Sequence, residues 1–283
     1  MSKPPTPEEF VRILAPAMDQ AAAIAAALEG RVANRPKSGE ATPVKAALTV
    51  ADTAAQEALL VPLLERFGGA RLEAEEDTHS VSLFTGASGG LRIVIDPIDG
   101  TFHFFLGGRG PYAVMAGLAL GDRYEAALVA LPREGLRLSA LRGRGARDAL
   151  ARPVALAREG RRLLVSDGVP EAVVGRLRSA GFEVGLGCGG AVAVAPLVPG
   201  VRGGLRVATH SISSRGRIGA LVAAEAGALV QTGAGEAFPD SLDAPAPSLV
   251  VADDPEIAAA IQDALVVASD EEIAGELRDA LCG

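Results

Sequence analysis

Two aspartates, Asp96 and Asp99, follow the apolar run at residues 91–95 and stand three positions apart. A run rich in isoleucine and valine that meets Asp-Pro predicts a buried strand ending at a turn, because proline cannot donate a hydrogen bond to a neighbouring strand. On the irregular backbone that follows, both carboxylates and the carbonyl of Ile98 can face one point, and such oxygen ligands suit Mg2+. The alternative is an ordinary turn in which both aspartates only cap backbone amides.

Further acidic residues also follow short apolar segments upstream. Asp52 stands at a predicted helix start, and Glu75 and Glu76 come directly after a short predicted strand. Carboxylates at the ends of several elements converge on one edge of a sheet, where they repel one another unless cations lie between them. A solvated surface explains each residue taken singly, whereas the set favours a metal site.

Capping signals and periodicity predict the elements that position these acids in the first half of the chain. Thr6, Pro7 and Glu9 form a capping box with proline in the first turn, and they predict a helix that runs to Leu28. A second helix is predicted from near Asp52 to residue 67, followed by a strand at 70–72. Turn residues at 121–122 and 132–135 separate three predicted antiparallel strands. These strands are residues 112–120, 124–131 and 136–141.

From Arg161 onward, predicted strands and helices alternate. The strands are residues 163–166, 182–185, 228–231 and 248–252, and the helices are residues 171–179, 191–198, 218–226 and 255–265. Helices and an antiparallel sheet followed by an alternating half predict a layered α+β fold rather than one doubly wound sheet. We expect residues 1–150, which carry the acidic motifs, and residues 151–283, which carry a glycine-rich loop, to form two halves of one compact unit.

The composition limits the possible partners. A formal net charge of −8 disfavours a nucleic-acid backbone, and 4% aromatic residues without Trp leave few platforms for base stacking. A negative chain can still bind a small phosphate ester when metal ions supply the positive field. Two cysteines far apart, Cys188 and Cys282, imply neither a disulfide framework nor a zinc cluster. With no apolar signal region and no uninterrupted membrane span, we expect a cytoplasmic protein without a membrane partner.

Several segments together resemble one enzyme family. Residues 95–101 (Ile-Asp-Pro-Ile-Asp-Gly-Thr) match its most specific motif, and residues 74–76 (Ala-Glu-Glu) match its Gly-Glu-Glu element with the glycine changed. Further matches are residues 49–52 with 54–56, the hairpin at 142–146, the glycine-rich loop at 187–191 and the helix at 220–227. On these residues the chain resembles the inositol monophosphatase family of Mg2+-dependent, lithium-sensitive phosphatases, related to fructose-1,6-bisphosphatase and 3'-phosphoadenosine-5'-phosphate phosphatase.

The resemblance implies a layered α/β/α/β/α sandwich, a homodimer and a site with two to three Mg2+ ions. By position, Glu75, Asp96 and the carbonyl of Ile98 would hold a first ion, with Thr101 as a further ligand. Asp96 and Asp99 would hold part of a second ion.

The resemblance also implies catalytic and substrate-binding roles. Asp52 and Glu75 would contribute to the binding of a third ion, and Asp52 and Thr101 would orient the attacking water. Backbone N–H groups at Gly100 and Thr101 would face the phosphate if these residues begin a helix. The substrate loop would contribute Gly187, Gly189, Gly190 and Ala191.

The chain departs from the family's pattern at one metal position. The family has an aspartate ten residues before the glutamate of Glu-Ala-Gly, and counting back from Glu225 gives Arg215. A guanidinium there opposes Mg2+ and cannot shed its charge, so we expect fewer bound ions than usual. Arg215 could replace the second ion by pairing with Asp99 or gripping the phosphate, swing outward and leave a weaker site, or mark a protein that kept only a phosphate pocket. A fourth alternative places Asp240 or Asp243 in the gap.

Smaller departures concern the wall of the pocket. Phe102 and His103 replace the usual Thr-Asn pair after the motif, and the phenylalanine is expected to narrow or reshape the pocket. His103 fits a supporting or surface position better than a general acid, because metal-bound water already supplies protons. A basic stretch could steer an anionic substrate or form a solvated face. Its members are Arg202, Arg206, Arg215 and Arg217.

We expect the protein to hydrolyse a small phosphate monoester, such as an inositol phosphate, with Mg2+ and a metal-activated water. One alternative is an impaired member that binds a phosphorylated ligand or acts as an interaction protein. Another is a nucleotidase of the 3'-phosphoadenosine-5'-phosphate type. Loss of the acid at Arg215 favours the impaired member. Five retained residues favour the enzyme: Asp52, Glu75, Asp96, Asp99 and Thr101.

Overall fold

The structure is a computed structural model that describes residues 4–40 and 42–266. The helices are α1 (Pro7–Leu28), α2 (Pro43–Ala46), α3 (Val50–Leu60), α4 (Leu64–Phe67), α5 (Glu171–Ser179), α6 (Gly189–Ala193), α7 (Ser214–Glu225) and α8 (255–266), and a short helix of π type spans Thr101–Leu106. The strands are β1 (Arg71–Glu73), β2 (Leu91–Asp99), β3 (Ala113–Leu120), β4 (Arg123–Leu131), β5 (Leu136–Leu141), β6 (Ala146–Arg147), β7 (Arg162–Val165), β8 (Glu183–Leu186), β9 (Val201–Val207), β10 (Leu229–Gln231) and β11 (Ser248–Ala252). Cys188 is buried, whereas Cys282 lies outside the described residues.

Two sheets alternate with three layers of helices. The first sheet has the order β1-β2-β3-β4-β5-β6 and is antiparallel except for β1 beside β2. The second has the order β10-β11-β9-β7-β8, with β7 parallel to both β8 and β9. Helices α1 and α3 cover the first sheet, α6 and α7 lie between the sheets, and α5 and α8 cover the second. The predicted α+β layered sandwich is confirmed.

Helix α1 begins as its sequence predicts and contributes one face to the core. Oγ1 of Thr6 accepts from the N–H of Glu9 at 3.3 Å, and the Glu9 carboxylate accepts from the N–H of Thr6 at 3.1 Å. Among the described residues, this helix has the length and composition that could span a membrane. Its buried face, which includes Phe10 and Leu14, packs against α3 and β4.

The predicted hairpins of the first sheet are confirmed, but β2 does not stop at the Asp-Pro pair. Strand β2 runs through Pro97 to Asp99. Its partner β1 pairs only as far as Val94, so the missing N–H of Pro97 costs no bond on that side. On the other side the register with β3 shifts between Asp96 and Asp99. The two acids therefore lie on the distorted end of a strand rather than in the turn after it.

Strand β9, between β7 and β11, was not predicted. Its glycines Gly203 and Gly204 weaken the strand pattern in the sequence. They are required by packing, because a Cβ at Gly203 would lie 2.8 Å from the carbonyl oxygen of Val251 and a Cβ at Gly204 2.5 Å from that of Val192. The helix predicted at 191–198 is likewise shorter, since α6 ends at Ala193. The boundary near residue 150 stays a prediction.

Candidate functional site

A cleft of about 310 Å³ opens at the carboxyl ends of β2, β7, β8 and β9, beside the first turn of α7. It gathers acids and glycines that are far apart in the sequence. The predicted site residues that line it are Glu75, Asp96, Ile98, Asp99, Gly100, Thr101, Gly187, Gly189 and Arg215. Three others do not line it: Asp52, Gly190 and Ala191.

Asp52 lies in the first turn of α3, directly behind Thr101 of the cleft wall. Its Oδ2 accepts hydrogen bonds of 2.7 Å from both the N–H and the hydroxyl of Thr49, which caps the helix. Its Oδ1 lies 2.9 Å from Oγ1 of Thr101, and that hydroxyl also lies 2.8 Å from the carbonyl oxygen of Ile98. Burial raises the pKa of Asp52, although the hydrogen bonds from Thr49 and Thr101 oppose the rise. The pair connects a buried base to a hydroxyl that lines the cleft.

The segment with Glu75 and Glu76 is fixed to α3 by the buried amide of Gln56. Nε2 of Gln56 donates to the carbonyl oxygen of Glu76 at 2.6 Å, and its Oε1 accepts from the N–H of Glu76 at 2.9 Å. Nζ of Lys37 lies 2.7 Å from Oε1 of Glu76 and 3.9 Å from Oε1 of Glu75. Lys37 therefore balances Glu76 behind the wall and leaves Glu75 facing the cleft.

Asp96 and Asp99 add two more negative charges at the end of β2. Asp96 is buried, and its Oδ1 has no hydrogen-bond partner within the described residues. Burial, followed by the charges of Glu75 and Asp99, raises the pKa of Asp96 well above its usual value. Oδ2 of Asp99 accepts a 2.5 Å hydrogen bond from the N–H of Gly190, which connects β2 to α6. A buried carboxylate such as Asp96 requires a cation beside it to stay ionised.

Arg215 places a positive charge beside these acids. Its Nη1 lies 3.7 Å from Oε2 of Glu75, and its Nε lies 3.8 Å from Oδ2 of Asp96. Burial disfavours the charged guanidinium, but Glu75, Asp96 and Asp99 outweigh burial and raise the pKa of Arg215. The side chain thus points into the cleft rather than outward, and its ion-pair partners are Glu75 and Asp96 rather than Asp99.

Two contacts hold the first turn of α7, which carries Arg215. Oγ of Ser214 donates to Glu73, whose other carboxylate oxygen accepts from Nε of Arg92 at 3.0 Å. The carbonyl oxygen of Ser214 accepts a 2.9 Å hydrogen bond from the hydroxyl of Tyr124. The helix dipole opposes a cation in this turn, so the acids, and not the helix, stabilise the arginine there.

Neither acid considered for the gap at Arg215 fills it. Asp240 lies in an exposed ion pair with Arg142 at 3.1 Å, and Asp243 is exposed and does not line the cleft. Within the basic stretch, Arg202 pairs with acids that follow β11, and the buried Arg217 donates to backbone carbonyls. The other two line the cleft: Arg206 and Arg215.

Two residues of the predicted substrate loop are not among those that line the cleft, and their role in substrate binding stays a prediction. The N–H of Gly190 donates a hydrogen bond to Oδ2 of Asp99. Ala191 is fully buried, and its N–H donates to Sγ of Cys188 at 3.3 Å. These two N–H groups connect α6 to Asp99 and to Cys188. The members that line the cleft are Gly187 and Gly189.

The short π-type helix after the motif forms one rim of the cleft. Gly100 precedes it with a φ of +87°, a conformation that favours glycine. Phe102 and His103 line the cleft, so the phenylalanine does shape the pocket wall. Nε2 of His103 lies 3.4 Å from Oδ2 of Asp167, and its Nδ1 lies 2.5 Å from the guanidinium of Arg109. His103 thus bridges to the opposite rim, where it supports the wall.

The sequence patterns did not reveal three polar residues of this region: Lys37, Ser166 and Arg206. Ser166 is the last residue of the strand predicted at 163–166, and it follows the observed β7, so the signal that identified the acids at element ends would also have identified it. Arg206 was noted as basic, but its direction could not be inferred because β9 was missed. Lys37 lies in a polar loop without a periodic pattern.

The donor atoms of the cleft are oxygens of the kind that a hard divalent cation takes, and Arg215 offsets part of their negative charge. Within residues 4–40 and 42–266, no three His, Cys, Asp or Glu side chains are grouped closely enough to hold a metal ion by themselves. The guanidinium of Arg215 contacts Glu75 and Asp96 where such a group would form. Three carboxylates facing one guanidinium still leave two negative charges, and the unpartnered Oδ1 of Asp96 is an oxygen donor of the kind that Mg2+ prefers.

The fold is that of the inositol-monophosphatase-type (IMPase) phosphatases. The Thermotoga maritima IMPase superposes with a TM-score of 0.71 at 16% identity, covering 90% of this chain and 97% of that one. The extragenic suppressor protein SuhB from Bartonella henselae gives 0.71 at 17% identity over 90% and 98%. An IMPase/NADP phosphatase complexed with NADP and Ca2+ gives 0.69 at 16% identity over 93% and 97%.

The family follows from the sequence match. Residues 9–159 match the model of the inositol monophosphatase family, and the chain belongs to this family. Its members are phosphatases and are generally metal-dependent. A curated protein, the glucose-1-phosphate thymidylyltransferase of Streptomyces griseus, is 41% identical over 97 residues, which are 34% of this chain and 35% of that protein. The chain spans about a third of the length of that curated protein.

Proposed function

We propose that the protein hydrolyses a small phosphate monoester with Mg2+, using a water molecule activated by Asp52 and Thr101. The observation that carries this proposal is the buried hydrogen bond between these two residues, 2.9 Å from Oδ1 to Oγ1, directly beside the acidic cleft. A base with a raised pKa behind a hydroxyl that reaches the reaction space is the arrangement that proton removal from water requires.

The proton path uses both residues. Water in the cleft donates to Oγ1 of Thr101, which in turn donates to Oδ1 of Asp52. Thr49 holds the other oxygen of Asp52, so Oδ1 stays directed at the cleft wall. When Thr101 donates to Asp52, the carbonyl oxygen of Ile98 is released as an acceptor. The hydroxyl therefore exchanges between two acceptors as the proton moves.

The acids that line the cleft bind the cofactor and give the site its negative charge. Glu75, Asp96 and the carbonyl of Ile98 would hold one Mg2+ ion, with Asp99 beside it. When bound, Mg2+ lowers the pKa of the attacking water and neutralises charge on the phosphoryl oxygens.

Arg215 serves as a fixed cation in place of a second ion. A guanidinium fork matches phosphate oxygens, and its distances of 3.7 and 3.8 Å from Glu75 and Asp96 leave its hydrogen-bond donors available for a ligand. Of the alternatives for this residue, substitution for the ion is the one that its inward direction supports. Phosphate binding without turnover is the second candidate, because a cation stands where the family has a metal-ligand acid.

The remaining expectations extend this proposal. The substrate is a small phosphorylated molecule, either a sugar or inositol phosphate or, as an alternative, a 3'-phosphonucleotide. We further propose a cytoplasmic homodimer without a nucleic-acid or membrane partner, which rests on the resemblance and on the net charge of −8.

A Mg2+-dependent phosphate-release assay over a small panel of esters tests the proposal. The panel contains inositol 1-phosphate, glucose 1-phosphate, glycerol 2-phosphate and adenosine 3',5'-bisphosphate. We expect release that requires Mg2+ and is lost in Asp52→Asn. Binding of these esters without release by the wild-type protein would contradict hydrolysis and support the second candidate.

A further inference from the structure

Arg206 provides a positive charge that the proposed hydrolysis does not use. It is the sixth residue of β9, and its side chain lines the cleft. Its Nη1 is buried without a hydrogen-bond partner, and no acid of the described residues forms an ion pair with it. The nearby Arg202 and Arg215, in contrast, both lie beside carboxylates. A buried donor without a partner is costly, and an acceptor bound in the cleft would satisfy it.

The pairing of β7 and β9 explains why Arg206 points into the cleft. Val165 and Leu205 are paired across these parallel strands, and both belong to the core cluster on the α5 and α8 side. Side chains alternate between the faces of a sheet, so Ser166 and Arg206, one residue further on, face the opposite side. The N–H of Ser166 donates to the carbonyl oxygen of Leu205 at 3.0 Å, which keeps the two residues side by side.

Ser166 is a second polar side chain without a partner at this end of the sheet. Its Oγ is buried, has no hydrogen-bond partner within the described residues, and belongs to a residue that lines the same cleft. A hydroxyl beside a guanidinium, both with free donors, is a combination that binds an oxyanion.

The guanidinium of Arg206 lies against the backbone of two glycines, Gly189 and Gly216. A Cβ at Gly216 would lie 2.5 Å from Nη1, and a Cβ at Gly189 would overlap the same atom. Only residues without a side chain leave this space open. The close packing against Gly189 and Gly216 places the guanidinium beside the cleft before any ligand binds.

We infer that Arg206 and Ser166 bind a second anionic group, a phosphate or a carboxylate, on the part of the substrate that leaves after hydrolysis. This inference rests on the proposed function, in which Arg215 and the acids near it serve the scissile phosphate. Among the substrates proposed above, the inference favours a small phosphate monoester that carries another oxyanion over the phosphate of a neutral polyol such as inositol.

Two pairs of ligands, each differing only by a carboxylate in place of a hydroxymethyl group, test the inference. They are glycerol 2-phosphate with 2-phosphoglycerate, and glucose 1-phosphate with glucuronic acid 1-phosphate. Affinities are measured by calorimetry with Mg2+ in the full-length Asp52→Asn protein, which prevents turnover, and kcat/KM is measured in the wild-type background. We expect the carboxylate member to bind about tenfold tighter or better in at least one pair, as a charge-assisted hydrogen bond provides.

Arg206→Met should reduce this preference to within about threefold while changing the affinity for the neutral member little. Arg206→Lys should keep part of the preference, because the charge remains and the fork is lost. Arg12→Met is the matched control, since it removes the same charge from an exposed position of α1 outside the cleft. Should Arg206→Met fail to fold by circular dichroism, Ser166→Ala decides, with an expected severalfold loss of preference.

Three results would overturn the inference: no preference in the wild-type background, an equal loss of affinity for both members of a pair in Arg206→Met, or a preference that both Arg206→Met and Ser166→Ala retain. The equal loss would place Arg206 on the scissile phosphate. A preference in binding without any turnover would refute the proposed hydrolysis but leave the second anion site standing. Turnover without a preference would support the proposed hydrolysis and refute the second anion site.

Discussion

Nε of Arg215 lies 3.8 Å from Oδ2 of Asp96, a buried carboxylate whose other oxygen has no hydrogen-bond partner within the described residues. The resemblance to the family implies an acid at the position of the arginine. Under the proposed function, this exchange reverses a charge beside the acids that would hold Mg2+, so the cleft would combine a site for one divalent cation with the guanidinium of Arg215. The proposed chemistry depends on how Mg2+ and the guanidinium of Arg215 both interact with Glu75 and Asp96.

Replacing Arg215 with Asp should raise Mg2+-dependent phosphatase activity. The substitution would remove the positive charge that repels Mg2+ and supply a carboxylate ligand for a second ion. Stabilisation of the transition state by that ion corresponds to a gain of about tenfold or more in kcat/KM. Calorimetry should show the number of bound ions rising from about one to about two per chain. Arg215→Met, which removes the charge without adding a ligand, should lower activity. No gain in Arg215→Asp at an unchanged melting temperature would mean that the site has been remodelled beyond this ligand.

Asp96→Asn should abolish Mg2+ binding measured by calorimetry. The amide keeps the shape of the side chain but removes the charge whose unpartnered oxygen faces the cation. Asp240→Asn is the control, because it removes the same charge from an exposed surface ion pair. Unchanged Mg2+ affinity in Asp96→Asn would mean that the acidic cleft is not a metal site.

Asp52→Asn should lower kcat by a factor of about 10²–10⁴, the range of a lost general base, with little change in KM. Thr101→Val should lower kcat similarly, because the hydroxyl that joins Asp52 to the cleft is removed. Thr101→Ser keeps the hydroxyl and should retain most of the activity. If Thr101→Ser is as impaired as Thr101→Val, the threonine methyl group, and not the hydroxyl, is what the site requires.

The parts of the fold that local signals determine were predictable from the sequence. The capping box of Thr6 and Glu9 gave the start of α1, and the turns at 121–122 and 132–135 gave the hairpins of the first sheet. The acids of the cleft were found because each follows an apolar segment at a strand or helix end. Their convergence follows from the general rule that such ends meet at one edge of a sheet.

The features that depend on tertiary packing could not be predicted. Gly203 and Gly204 conceal β9, because they are there for the close approach of Val251 and Val192 rather than for strand propensity. Because β9 was not predicted, the sequence did not show on which face of the sheet the side chain of Arg206 lies. A loop motif likewise does not specify which N–H groups face outward, and Gly190 uses its own on Asp99.

Gly190→Ala should destabilise the protein by about 1–3 kcal/mol, the usual cost of overpacking a core. A Cβ there would lie 2.5 Å from Sδ of Met115 and 2.9 Å from Cβ of Ala113, so α6 would have to move and weaken the hydrogen bond to Asp99. Gly175→Ala in α5 is the matched control, since no heavy atom lies within 4 Å of its Cβ position, and it should stabilise the chain by about 0.5–1 kcal/mol through helix propensity. The free energy of unfolding in urea measures both changes. Equal stability of Gly190→Ala and the wild-type protein would mean that α6 shifts without cost, in which case its contact with Asp99 does not fix the end of β2.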